Sequence, residues 1–286
     1  MNAQLARARL QVLGAALLFS TGGAAIKAAQ FTSWQVAGLR SGVAALAIWL
    51  LVPASRRLAR GPELDRAALV GVAYAATLVL FVLANKLTTA ANTIFLQDTA
   101  PLYILLLSPI LLHEPIRRRD VGFMLIIGIG MALFFVGRQA NYATAPDPLR
   151  GNAFALMSGL AYACMLLGLR WMAKNGGSPA AAAGLGNSFA FLVALPAMLP
   201  LGTHAASDWL IILYLGVLQI GLAYSLLSAG IQHLGAVEVS LLLFLEPALS
   251  PLWAWLVHGE VPGPYAAVGG TVIIGATGVK AWWDSR

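Results

Sequence analysis

Residues 94–114 read IFLQDTAPLYILLLSPILLHE. The run is apolar and close to the roughly 20 residues that a helix needs to cross a bilayer core. Yet it holds a carboxylate, Asp98, and a helix-breaking residue, Pro101, well inside it. Lipid suits neither. A charge at the bilayer centre costs at least about 2.5 kcal/mol, and Pro101 deprives the carbonyl of Gln97 of its helical donor. Such a run calls for a cavity or a partner on one side.

The rest of the chain supplies the surroundings. Of its 286 residues, 59% are hydrophobic and 10% charged, with a mean hydropathy of +0.80. A soluble domain carries about 25% charged residues. Ten apolar segments follow one another, at about 10–29, 33–53, 66–87, 90–112, 119–137, 151–172, 180–201, 208–230, 236–258 and 263–283, each near spanning length. The reading is an all-α integral membrane protein with ten transmembrane helices. Arg7 and Arg9 before the first apolar run resemble a signal peptide. Ser20, Thr21, Gly22 and Gly23 interrupt that run, so it is read as a retained first helix.

The net charge of +7 follows the helices. With ten crossings, thirteen of the eighteen Lys and Arg residues fall on the amino-terminal side and four (Lys27, Lys86, Arg138 and Arg150) on the other; Arg40 lies within a segment. Cytoplasmic loops carry the basic excess, so both termini are expected in the cytoplasm. The charge is thus an orientation signal, and no nucleic-acid partner is expected. Cys164 is the only cysteine, which excludes an intramolecular disulfide. Mid-helix, it reads as a small buried hydrophobe.

An internal repeat sets the architecture. DTAPLYILLLSPILLHE (98–114) lies over FLEPALSPLWAWLVHGE (244–260), with Pro101 on Pro247 and Glu114 on Glu260, both at an offset of 146. Gly122 and Gly128 then match Gly269 and Gly275, one further residue along. The halves are residues 1–138 and 151–286, joined by the loop QANYATAPDPLR at 139–150. Five helices per half is an odd number, so the second half runs in the opposite sense. Inverted repeats with broken helices are recurrent in secondary transporters, whose sites lie near the midplane between the halves.

The polar groups inside the segments are the candidate site. Asp98 and Glu246 each sit beside a proline, about 12 Å and about 15 Å from their helix ends at 1.5 Å per residue. Either both acids pair with structural bases, or they face a shared cavity. Arg40 lies about 10 Å deep by the same rise, and an Arg40–Asp98 ion pair is the expectation, against a guanidinium that reaches back to the interface. Tyr74, Thr77, Phe81 and Asn85 share one face of segment three at spacings of 3, 4 and 4. Gly221, Tyr224 or Ser225, Ser228 and Gln232 form a matching face in segment eight. Ser158 and Tyr162 come from segment six, Ser20 and Thr21 from segment one, Phe95 from segment four and Trp253 from segment nine. One such stripe suits helix packing as well as a site; several, with two acids, suit a central substrate cavity. The glycine-rich segments five and ten are expected to pack closely at the periphery.

Several classes lack their minimum chemistry. There is no His-Glu-x-x-His, no Gly-x-Ser-x-Gly and no phosphate-binding Gly-x-x-x-x-Gly-Lys-Ser/Thr loop. His113 and His258, with Glu114 and Glu260, read as end groups of segments four and nine. No enzyme activity, metal or cofactor is expected.

TTAANTIFLQDTAPLYILLLSPILLHEP, HLGAVEVSLLLFLEPALSPLWAWLVHGE and GLRSGVAAL around Arg40 resemble EamA-type members of the drug/metabolite transporter superfamily over essentially the whole chain. Within them the sequence is most similar to YddG-type amino-acid exporters. The resemblance implies a ten-helix basket with a cavity lined by helices one, three, four, six, eight and nine, working by alternating access in a bacterial inner membrane. It departs from internal symmetry at HGE (258–260) against HEP (113–115). The expected substrates are aromatic and neutral amino acids; the alternatives are a multidrug or cationic-toxin exporter, or a non-transporting membrane receptor. Membrane lipids are the other expected partner, and a monomer is compatible with the reading. Proton coupling through Asp98 or Glu246 is a further expectation.

Overall fold

A computed structural model describes residues 3–56, 62–88, 90–133, 146–258 and 264–283, which are helical with no strand among them. Helices α1 (Ala3–Ser20) and α2 (Gly22–Ala28) form one rod interrupted at Thr21. Then come α3 (Ser33–Leu51), a short 3-10 turn (Pro53–Arg56) and α4 (Pro62–Leu87). The opening stretch forms two pieces, α5 (Ala90–Gln97) and α6 (Ala100–Leu111), followed by α7 (Arg118–Leu133). The later elements are α8 (Pro148–Lys174), α9 (Pro179–Met198) and α10 (Ala206–Tyr214), a π-helix (Leu215–Leu222) and α11 (Ala223–Gly230). Last are α12 (Ala236–Leu243), α13 (Leu245–His258) and α14 (Pro264–Trp283). Among the described residues, seven stretches are long and apolar enough to cross a membrane; Ala100–Leu111 and Ala267–Lys280 are apolar but shorter.

Local chemistry sets the boundaries. Thr32 and Gln35 cap each other reciprocally at the start of α3, and the Gln35 amide also donates to the carbonyls of Met198, Pro200 and Leu201. Asp147 and Ser178 cap α8 and α9, each followed by proline in the first turn. His113, at φ +53°, adopts the left-handed conformation just beyond α6. α1 begins earlier than the apolar pattern, at Ala3, and within this added stretch Arg9 pairs with Glu238 at 2.8 Å.

The core is helix against helix. α4 packs on α8 and α9, α9 on α3, α3 on the π-helix, and α1 on α11 and α13. Small residues permit the close approaches: a Cβ on Gly186 of α9 would meet the Cβ of Tyr74 at 2.5 Å. Leu69, Leu106 and Ile110 are instead exposed on the outer surface. In lipid that surface is matched to its solvent; in water it would aggregate.

Two packing expectations are corrected. Cys164 is exposed, not buried. It lies two residues, roughly 200° of helix, from inward-facing Tyr162, so it points away from the core. α7 and α14 do pack together, through Gly130 against Ile273 and Gly269, but Gly122, Gly128, Gly275 and Gly278 meet nothing within 4 Å. The side chains of Phe95 and His258, all of Arg138 and Glu260, and the loop 139–145 lie outside the described residues.

Candidate functional site

The break between α5 and α6 positions the site. Pro101 stands in the first turn of α6, and the amide of Leu102 bonds back to Thr99 at 3.0 Å. The Thr99 hydroxyl donates to the carbonyl of Leu96 at 2.7 Å. The carbonyls of Leu96 and Gln97 press on α8 at Gly159, where any Cβ would meet both at 2.9 Å. Pro247 occupies the corresponding first turn of α13, after the break at Phe244. Asp98 and Glu246 thus stand at two helix breaks, one in each half of the chain.

Around these breaks lies a partly open cavity of about 350 Å³, space at its mouth included. Arg40 of α3 and Thr77, Leu78 and Phe81 of α4 form one side. Gln97, Tyr162 and Glu246 line it from α5, α8 and α13. Phe19, Gln219, Ile220 and Tyr224 complete it from α1, the π-helix and α11.

The walls are held by short polar links and stacked rings. Gln97 donates to the Ser158 hydroxyl at 2.7 Å, and Ser158 donates to the carbonyl of Thr77 at 3.2 Å. The Tyr224 ring lies 4.6 Å from Phe19 and 4.5 Å from Tyr74. The Asn187 amide donates to the Tyr74 hydroxyl at 3.1 Å and to the carbonyl of Ala183 at 2.9 Å. Trp253 donates to Ser20 at 2.8 Å, and Tyr214 to Thr21 at 2.7 Å, which ties segment one to its neighbours.

The sequence-derived site residues fall into distinct positions. Thr77, Phe81, Tyr162, Tyr224 and Glu246 line the cavity; Tyr74 is buried behind Tyr224. Asn85 and Ser228 are buried, and Asn85 Oδ1 and the Ser228 hydroxyl have no hydrogen-bond partner among the described residues. Asp98 likewise has one buried oxygen, Oδ2, without a partner among the described residues. The expected Arg40–Asp98 ion pair is not formed. Arg40 Nη2 instead donates to the carbonyl of Leu78 at 3.1 Å, because α3 presents the guanidinium to α4. Gln219, Gln97 and Phe19 were not anticipated as lining residues. Gln219 and Tyr224 are five residues apart, the spacing that a π-helix brings onto one face. A 3.6-residue count puts Val217 and Gly221 there instead.

Toward the amino-terminal face, charged groups tie distant elements. Glu114 accepts from Arg170 Nε at 2.7 Å and from the amide of Ala236 at 3.0 Å. Arg170 Nη1 also reaches the carbonyls of Ile231 and Gln232, at 2.9 and 3.0 Å. Arg9 pairs with Glu238, and Lys280 with Asp120 at 2.7 Å. At the other end the links are hydrogen bonds such as Thr88 to Asn152 at 2.9 Å and the amide of Gln30 to Asp208 at 3.0 Å.

A multi-pass membrane protein with a polar, aromatic-walled cavity among its helices is the class these observations define. The chain belongs to the EamA-like transporter family, whose sequence model matches it twice, over residues 7–136 and 149–279. It is similar to the uncharacterized transporter YdfC of Bacillus subtilis (strain 168), at 27% identity over 201 residues, 69% of this chain. The chain spans 64% of that relative's own length. A solved crystal structure of a protein at 21% identity covers 96% of both chains with a TM-score of 0.78, a likeness of fold alone.

Proposed function

We propose that this transporter exports amino acids, aromatic and neutral ones foremost, across a bacterial inner membrane by alternating access. In this reading ten helices cross the membrane in two inverted halves, residues 1–138 and 151–286, with both termini in the cytoplasm. The two family matches, 7–136 and 149–279, support that division. The basic excess on the amino-terminal side supports the orientation. Likeness to YddG-type exporters supports the choice of amino acids.

One observation carries the reading. The cavity combines a buried guanidinium, a carboxylate and the rings of Phe19, Phe81, Tyr162 and Tyr224 in one small space. Such a lining suits a small zwitterion with an apolar or aromatic side chain. In this reading the ion pairs at the amino-terminal face part when the cavity loads from the cytosol.

The test is flux. Proteoliposomes holding the purified protein and a mixture of radiolabelled amino acids should release several of them, more slowly with Tyr224→Ala. Release of cationic drugs but of no amino acid would turn the reading to a toxin exporter. Binding without movement of any solute would turn it to a receptor.

A further inference from the structure

We infer that Arg40 is the residue that recognises the substrate's carboxylate, with Glu246 receiving its ammonium group. The inference rests on the amino-acid reading above and assigns the residues that would enforce it.

Arg40 is 1% exposed and lines the cavity, yet among the described residues it makes a single hydrogen bond, to the carbonyl of Leu78. Its Nε is buried without a partner, and no carboxylate among the described residues comes within 4.0 Å of it. A guanidinium has five N–H donors in a fixed fork and stays charged. Burying one with its donors idle is costly unless something else supplies the acceptors.

Arg170 shows what a structural arginine looks like in the same molecule. It bonds Glu114 and the carbonyls of Ile231 and Gln232, and so uses its fork on the protein itself. Arg40 does not. Arg40 lines the cavity, and a carboxylate bound there would meet the free part of the fork with two parallel bonds.

The complementary half is present in the same cavity. Glu246 lines it, and among the described residues its side chain has neither hydrogen bond nor ion pair. Gln219, 4% exposed, contributes a further buried acceptor, Oε1, without a partner among the described residues. A zwitterion satisfies both ends at once. An amine without a carboxylate leaves Arg40 unneutralised and is repelled by it, whereas a carboxylic acid without an amine leaves Glu246 bare. Tyr224, Tyr162 and Phe81 form the apolar walls for the side chain between.

The experiment is counterflow of radiolabelled phenylalanine in proteoliposomes, with phenylalanine, phenethylamine and 3-phenylpropionate as competitors. The wild-type protein should be competed at least about tenfold better by phenylalanine than by either one-ended analogue, as expected where a site's buried polar groups are left unpaired. Arg40→Gln should lose most phenylalanine flux and bring the phenethylamine-to-phenylalanine competition ratio close to one. Arg40→Lys, which keeps the charge but not the fork, should fall between. Folding of each variant is checked by gel filtration and melting; if Arg40→Gln does not fold, the wild-type and Arg40→Lys competition ratios decide. Equal competition by phenethylamine in the wild type, or an unchanged ratio in folded Arg40 variants, overturns the inference and leaves the amino-acid reading standing. Absence of flux and of binding for every amino acid overturns both.

Discussion

Tyr74 and Gly186 form one joint between α4 and α9. Tyr74 is wholly buried, stacks on Tyr224 and receives a hydrogen bond from Asn187, while Gly186 lets α9 approach its ring and Cβ. Gly186→Ala would drive a methyl to 2.5 Å from Tyr74 Cβ, which a packed helix pair cannot absorb by rotating a side chain. We expect a loss of about 1–3 kcal/mol, read as a lower melting temperature in detergent. Gly275→Ala, which meets nothing within 4 Å, should leave melting unchanged or raise it slightly. An equal drop in both would refute the joint. At this scale the sequence was informative about depth and poor about direction. Arg40's place halfway along α3 was readable from residue counting. Its partner was not, because the rotation of α3 against α4 decides whether a guanidinium reaches Asp98 or the carbonyl of Leu78.

At the scale of elements, the broken helices were readable and the π-helix was not. Pro101 and Pro247 announce their breaks by removing a backbone donor, and the pieces α5–α6 and α12–α13 follow. Nothing so plain marks residues 215–222, because i→i+5 bonding depends on what lies alongside. There Gly216 approaches α3 so closely that a Cβ would meet Val43 at 2.5 Å. Glu114 is the counterpart at the end of α6, where it caps the start of α12 and pairs with Arg170. Glu114→Gln should cost about 1.5–3 kcal/mol, the range for hydrogen bonds to charged groups. In a double-mutant cycle with Arg170→Gln, the combined loss should be clearly smaller than the sum of the two. Strict additivity would show that the two side chains are energetically independent.

For the whole molecule, the ties at the amino-terminal face join residues far apart in the chain, as Arg9 with Glu238 and Asp120 with Lys280. In a Cys164→Ser background, needed because Cys164 is exposed, cysteines replacing Arg9 and Glu238 allow a direct trial. A short cleavable dithiol-reactive linker between them should stop flux, and its cleavage should restore it. Flux that persists through the linked state would mean that this tie does not part during transport. Overall class was plain from composition, since 10% charged residues cannot clothe a water-facing surface.

The two-piece opening helix also bears on how the protein is made. α5 packs chiefly on α8, which begins at Pro148, some fifty residues after α5 ends at Gln97. At about 5–20 residues per second of synthesis, α8 emerges roughly 3–10 s later. Throughout that interval Asp98 and the freed carbonyl of Gln97 have no finished protein wall to face. The insertion machinery must hold this short, polar-flanked segment in a sheltered position until its late-born neighbour arrives. Slowing or pausing the ribosome between residues 98 and 148 would lengthen that vulnerable wait.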